Sequence, residues 1–164
     1  MQDSHRVRIR PLEPADEGRY VEFVAALDAD DRYLRYMGIQ APDAIRAGEL
    51  IDAAGRREVA LAAVADGSGE SILGVVRAVV TEQGRHAEFG LIVRSALKRR
   101  GLGEALLKAL LVRLRALRVE CVSGHTFARN GPLISLVKRQ GFRVEPGEDG
   151  STRRVTLALE AAPA

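Results

Sequence analysis

At 164 residues, 46% hydrophobic and 29% charged, the chain fits one domain with a real core and the ordinary composition of a soluble globular protein. No apolar run approaches the roughly 20 residues of a membrane helix, and MQDSHRVRIRP at the N-terminus lacks a signal-peptide core. The net charge of +3 is unevenly spread, with arginine clusters at Arg94 to Arg100, Arg113 to Arg118, and Arg153 with Arg154. Such patches suit a polyanionic ligand, whereas 4% aromatic content and the lack of tryptophan argue against nucleic acid. One cysteine, Cys121, excludes an internal disulfide and, set in the apolar run Val119 to Val122, reads as a buried, inert thiol. The cytoplasm is the expected location.

Val7 to Arg10 alternates like a short strand. Pro14 sits where a first helical turn tolerates proline, and Tyr20, Val21, Val24 and Leu27 recur at helical spacing through Asp28. Further helical pieces are expected at Asp30 to Met37 and from Pro42 to Gly55. The period then changes. Val59 to Ala65 and Ile72 to Val80 read as strands joined by the hairpin signal AspGlySerGly, and Gln83 with Gly84 marks a turn before a third strand, Ala87 to Val93. A helix from Gly101 to Leu117, a buried strand at Val119 to Ser123, and an amphipathic helix from Asn130 to Gln140 follow. Two strands, Phe142 to Glu145 and Arg153 to Leu159, close the chain around the turn GlyGluAspGly. The order predicts an α/β (α+β) fold: a mixed, mostly antiparallel sheet of about seven strands with helices on both faces.

The stretch VRSALKRRGLGEALL, Val93 to Leu107, is the most informative. Gly101 and Gly103 remove side chains where the backbone turns into a helix, so the first amide N–H groups stay bare. Those amides, the helix dipole and the charges of Lys98, Arg99 and Arg100 make a site for a phosphate or pyrophosphate. The plainer reading of the basic residues is a solvated charge run. The pair Gly101-x-Gly103 also looks like half of a dinucleotide-binding fingerprint, but Leu106 stands where the third glycine belongs, and antiparallel strands precede it.

The order of elements and the segment KRRGLGEALL resemble the GNAT superfamily of N-acetyltransferases, whose pyrophosphate loop reads Gln/Arg-x-x-Gly-x-Gly/Ala. Lys98 stands at the Gln/Arg position; Gly101 and Gly103 match. NGPLISLVKRQGF, Asn130 to Phe142, resembles the superfamily's Asn-x-x-Ala-x-x-Leu-Tyr-x-x-x-Gly-Phe helix. The likeness covers nearly the whole chain, as one GNAT domain over 1–164. More narrowly, VRSALKRRGLG, AEFGLIV and LDADDRYLRYMG look like bacterial protein lysine acetyltransferases. The cluster Asp30, Asp31, Arg32, Tyr33, Arg35 and Tyr36 in the last of these falls on helices that in this superfamily border the acceptor cleft.

The resemblance implies acetyl-CoA as co-substrate and direct transfer of acetyl to a primary amine, most readily a protein lysine, with a small amine or a non-catalytic coenzyme A sensor as alternatives. It assigns cofactor contacts to Leu91, Ile92, Val93, Lys98, Arg99, Arg100, Gly101, Leu102, Gly103, Glu104 and Asn130, and leaves room for a homodimer. A lysine amine, with a pKa of about 10.4, must lose a proton before it attacks. Glu88 stands at the place of the family's general-base glutamate, and strand alternation puts it on one face with Gly90 and Ile92. The plainer reading of Glu88 is a surface carboxylate paired with Arg85 or a neighbour. Val137 replaces the tyrosine that many members use to protonate the leaving thiolate. His125, at the end of the fifth strand, reads first as an ordinary loop histidine, with an auxiliary acid or base as the alternative. His5 and His86 read as surface or edge residues, and no three ligands have metal spacing.

Overall fold

The computed structural model describes residues 6–28, 58–66, 70–94 and 101–160. Within them one seven-stranded sheet forms, from β1 (Val7–Pro11), β2 (Glu58–Ala65), β3 (Ile72–Val80), β4 (His86–Val93), β5 (Cys121–Phe127), β6 (Arg143–Pro146) and β7 (Thr152–Ala158). Its order is β1-β2-β3-β4-β5-β7-β6, and every neighbouring pair is antiparallel except β4 and β5. This is the mixed α/β sheet that the sequence predicts. The expected turn between β3 and β4 is present: Gln83 and Gly84 both have positive φ, 73° and 69°, and the Thr81 N–H donates to the His86 carbonyl at 2.8 Å.

Three described helices cover the sheet on both faces: α1 (Glu17–Ala25), α2 (Leu102–Ala116) and α3 (Gly131–Arg139). α1 turns Tyr20, Phe23 and Val24 onto Ala62, Val64, Val75 and Ile92. On the other face the α2 leucines 106, 107, 110, 111 and 114 pack with Leu136 and Val137 against Val76, Ala78, Ala87, Phe89, Val122 and Val155. A parallel pair needs a crossover connection, and α2 supplies it between β4 and β5. β3 and β4 pair without a register shift from Gly74↔Val93 to Val80↔Ala87. Glu88, Gly90 and Ile92 therefore share the α1 face, as alternation predicts, and Ala87, Phe89, Leu91 and Val93 face α2.

Some boundaries differ from the sequence reading. The helix expected from Pro14 to Asp28 is a 3₁₀ turn at Pro14–Asp16 followed by α1, which ends at Ala25. The turn is tightened by Asp16, whose carboxylate accepts from the Glu13 N–H and from both terminal nitrogens of Arg10, each at 2.8 Å. The strand expected at Val119 to Ser123 begins later and runs further, to Phe127. Val119 is spent closing α2, its N–H donating to Leu114, and both Glu120 and Cys121 N–H groups donate to the Arg85 carbonyl, which sets where β5 begins. Phe142 precedes β6, buried, with its N–H on the Val137 carbonyl. Cys121 is only partly buried. The helical pieces expected at Asp30 to Met37 and Pro42 to Gly55 lie outside the described residues.

Asp16 is 1% exposed and anchors β1 to the start of α1. The Arg10 guanidinium holds its carboxyl down from 3.8 to about 2. A depressed carboxyl stabilises the fold above its unfolded value and loses that contribution as pH falls through the folded one. Thermal melts should therefore lose about 2 kcal/mol of stability between pH 4 and pH 2 from this group. Asp16→Asn should lower stability at pH 7 and flatten that acid window; an unchanged pH profile would show that the ion pair contributes nothing.

Candidate active site

The two halves of the sheet meet along a short seam. β4 is paired with β3 along its length and β5 with β7 along all of its own, but β4 and β5 pair only through His86↔Cys121, Ala87↔Val122 and Glu88↔Ser123. Beyond Glu88 they part. A cleft of about 740 Å³ opens there, a size usual for a small-molecule site. Its lining includes Phe89 to Val93 of β4, Gly124, His125 and Thr126 of β5, Gly101 to Glu104, and the first turns of α3. The Arg94 N–H donates to Leu73 of β3 at 2.8 Å, and peptide groups alternate along a strand, so those of Leu91 and Val93, beyond the last ladder pair, point away from β3 into the cleft. No described strand pairs with that edge, which presents donors and acceptors to an extended ligand.

The N-terminus of α2 opens on the same cleft. Gly101 is its N-cap at φ 80°, a left-handed conformation that L side chains rarely adopt, and open space lies where a Cβ would stand. The first intrahelical bond runs from Ala105 N–H to the Gly101 carbonyl, so the amides of Leu102, Gly103 and Glu104 are left for a ligand. A Cβ at Gly103 would lie 3.3 Å from Leu136 and 3.5 Å from Leu91, so glycine there lets the helix end come down onto β4. The Glu104 carboxylate is drawn aside by Gln140 Nε2 at 3.2 Å and Lys108 Nζ at 3.3 Å.

On the opposite face of the seam stand the titratable groups. Glu88 Oε1 lies 3.3 Å from His125 Nδ1, with side-chain exposures of 60% and 48%. One step earlier, His86 Nε2 lies 2.8 Å from the buried Ser123 Oγ. These two side-chain pairs bridge β4 to β5 on both sides of the last ladder pair. Arg154 of β7 stands opposite His125 in the antiparallel register.

Residues 17–142 match the family model described as the acetyltransferase (GNAT) family. The chain belongs to the GNAT family. Its reaction is accordingly acetyl transfer, with acetyl-CoA as co-substrate. Solved structures share the fold. The GNAT domain of S. lividans PAT superposes with a TM-score of 0.80 at 21% identity, over 93% of this chain and 90% of that one. An N-acetyltransferase from Thermoplasma acidophilum in complex with coenzyme A has a TM-score of 0.71 at 18% identity, over 93% and 99%. The ribosomal-protein-S18-alanine N-acetyltransferase from Escherichia coli gives 0.67 at 19%, over 97% and 96%.

Most of the residues assigned from the sequence to the GNAT co-substrate meet in one place. Leu91, Ile92, Val93, Gly101, Leu102, Gly103, Glu104 and Asn130 all line the cleft. Lys98, Arg99, Arg100 and the Asp30 to Tyr36 cluster lie outside the described residues. Asn130 also has a structural task as N-cap of α3: its Oδ1 accepts from the Leu133 N–H at 3.5 Å and its Nδ2 donates to Thr126 at 3.1 Å. Val137 is fully buried in the core, so no proton donor stands at the family's tyrosine position. His125, read as a loop histidine, lies within β5 and meets Glu88 of β4, while His86 opens β4, partly exposed, with its Nε2 on Ser123 Oγ. Sequence reading also missed Gly124, where a Cβ would come within 2.8 Å of the Phe89 ring, and the cleft residues Thr126, Ser135 and Arg139. The alternation of Val122, Gly124 and Thr126 with Ser123 and His125 was the available signal for the longer β5.

The free amides, the left-handed glycine and the unpaired strand edge fit a long, phosphorylated, amide-bearing co-substrate. Gly101→Asp adds strain at a positive φ and a carboxylate at the helix end. Calorimetric titration should show acetyl-CoA binding weakened by roughly tenfold or more, about 1.4 kcal/mol, with the fold retained by circular dichroism. Unchanged affinity would refute the anion-site assignment.

Proposed function

We propose that this GNAT enzyme acetylates lysine side chains of proteins in the cytoplasm, by direct transfer without a covalent enzyme intermediate, and that Glu88 drives removal of the acceptor's proton. The carrying observation is the exposure of the acceptor side among the described residues. Glu88 and His125 are about half exposed beside the cleft, whereas small-ligand sites commonly bury some 70–90% of their ligand. A lysine arm reaching in from a large acceptor suits such a rim. The likeness to the GNAT domain of S. lividans PAT and to an E. coli enzyme named for an alanine of a ribosomal protein favours a protein acceptor, the second without favouring lysine, since alanine has no side-chain amine.

Bound acetyl-CoA supplies an acetyl group activated as a thioester. The chain's part is to hold, polarise and deprotonate. The amides of Leu102 to Glu104 would hold the pyrophosphate, with Lys98, Arg99 and Arg100 contributing charge, and the cleft-facing edge of β4 from Leu91 to Val93 would pair with the pantetheine arm. A preorganised backbone N–H on that edge, aimed at the thioester carbonyl, can contribute on the order of 3 kcal/mol to the barrier. Glu88 answers the protonation of the amine. A thiolate leaving group with a cysteine-like pKa near 8.5 departs without a general acid, so Val137 is compatible with turnover.

The test is mass-spectrometric detection of acetylated products after the purified protein and acetyl-CoA are incubated with cell-extract proteins and with a panel of small amines. Acetylated lysines should form, and Glu88→Gln should keep acetyl-CoA binding while lowering kcat roughly 100-fold or more. Modification of a small amine alone would overturn the protein-lysine reading. Acetyl-CoA binding with no product from any acceptor would favour a coenzyme A sensor, and a fully active Glu88→Gln would remove Glu88 from the chemistry.

A further inference from the structure

We infer that Glu88 acts through His125, and that the imidazole Nε2 of His125 is the atom that takes the proton from the acceptor amine. This rests on the acetyl-transfer reading above and assigns its base more finely. His125 lines the cleft; Glu88 stands beside it rather than among the lining residues. The Glu88 Oε1 to His125 Nδ1 contact is 3.3 Å, within hydrogen-bond distance. A carboxylate only accepts, so Nδ1 carries the hydrogen and donates it, and the ring's lone pair is left on Nε2. That is the arrangement by which a carboxylate fixes the tautomer of a histidine base in hydrolytic triads.

The fold holds the pair in place. β4 and β5 are still hydrogen-bonded at Glu88↔Ser123, so both backbones are fixed one step before the strands part. His125 lies two residues beyond Ser123 on the same face, and its strand is held on the other side by β7, where His125 faces Arg154. The ring therefore stands at the apex of the opening, between the cleft and the exposed acceptor face. Ser123 is engaged by His86 at 2.8 Å, which leaves the Glu88 carboxylate to His125.

The balance is simple. As the acceptor nitrogen forms the new C–N bond, the thioester C–S bond breaks. The acceptor ammonium loses two protons in all. One passes to His125 Nε2 and then to solvent, to which the half-exposed ring is open; the other ends on the departing sulfur. The charge of the imidazolium formed is offset by Glu88.

The experiment compares wild type, His125→Ala, His125→Gln, Glu88→Gln and the Glu88→Gln/His125→Ala double variant. A lysine-peptide library serves as acceptor, at saturating acetyl-CoA. His125→Ala should lower kcat roughly 100-fold, with acetyl-CoA affinity changed by no more than about twofold. Added imidazole should restore part of the His125→Ala rate and none of the His125→Gln rate, because the glutamine fills the space. The double variant should be no slower than the worse single one, as expected for residues that act as a unit. A His125→Ala enzyme within about threefold of wild type, beside a crippled Glu88→Gln, would overturn the inference and leave Glu88 acting directly. Rate losses that multiply in the double variant would overturn it as well. A wild type that modifies no peptide would refute the lysine reading itself, and this assignment with it.

Discussion

The structure depends on a seam three residue pairs long. β4 belongs with β3, and β5 with β7, along their lengths; only His86 to Glu88 and Cys121 to Ser123 join the two halves in parallel. Strands in a sheet twist relative to one another, so two antiparallel blocks joined over so short a stretch are free to diverge. Phe89 is the first β4 residue past the seam. Its ring occupies the space that a side chain at position 124 would need, with a notional Cβ at 2.8 Å. Bare backbone on β5 thus accommodates a large side chain on β4, and that packing takes the place of the next ladder pair.

The consequence of parting is an unpaired edge in the middle of a sheet. Peptide groups left without partners are costly when buried, so the cleft must stay open to water or be filled by a ligand that can pair with it. α2 turns this liability into a site. Its leucines 106, 107, 110, 111 and 114 are buried against β2, β3 and β4, which fixes the helix, and Gly103 lets its first turn sit directly above Leu91. The free amides of the helix end and the free edge of the strand then face one space. One supplies donors for negative charge, the other a template for an extended chain. Tethering of Glu104 to Gln140 and Lys108 keeps the one acidic side chain of that turn from competing for the amides.

Residue patterns made much of this legible. The switch from period two to helical spacing at Gly101 marks the helix end whose amides are free, because a glycine at a left-handed helix cap and one at a close helix–strand approach both leave marks in sequence. The face of Glu88 followed from alternation along an unbroken β3–β4 register. What the sequence hid was tertiary. The end of β5 is set by its pairing with β7 rather than by any breaker, so a run that mixes Ser123, Gly124, His125 and Thr126 did not read as strand. Misplacing that end by four residues turned His125 into a loop residue. The 3₁₀ turn before α1 was equally hidden, because it depends on Arg10 reaching Asp16 from β1.

The two faces of the cleft differ in polarity. On the α2 and α3 side the cleft is walled by Leu91, Leu102, Leu133 and Leu136, with Val137 buried behind them. On the other side the seam carries Glu88, His125, His86 and Ser123. A thiolate of pKa near 8.5 can leave unaided at neutral pH, but an amine of pKa about 10.4 is mostly protonated and cannot attack in that form. The larger demand falls on the acceptor. On the proposed mechanism a valine at position 137 costs little rate, whereas loss of the Glu88 carboxylate and the His125 imidazole would leave the acceptor amine protonated. On that proposal the asymmetry of the cleft, apolar beside α2 and α3 and titratable along the seam, follows the difference in pKa.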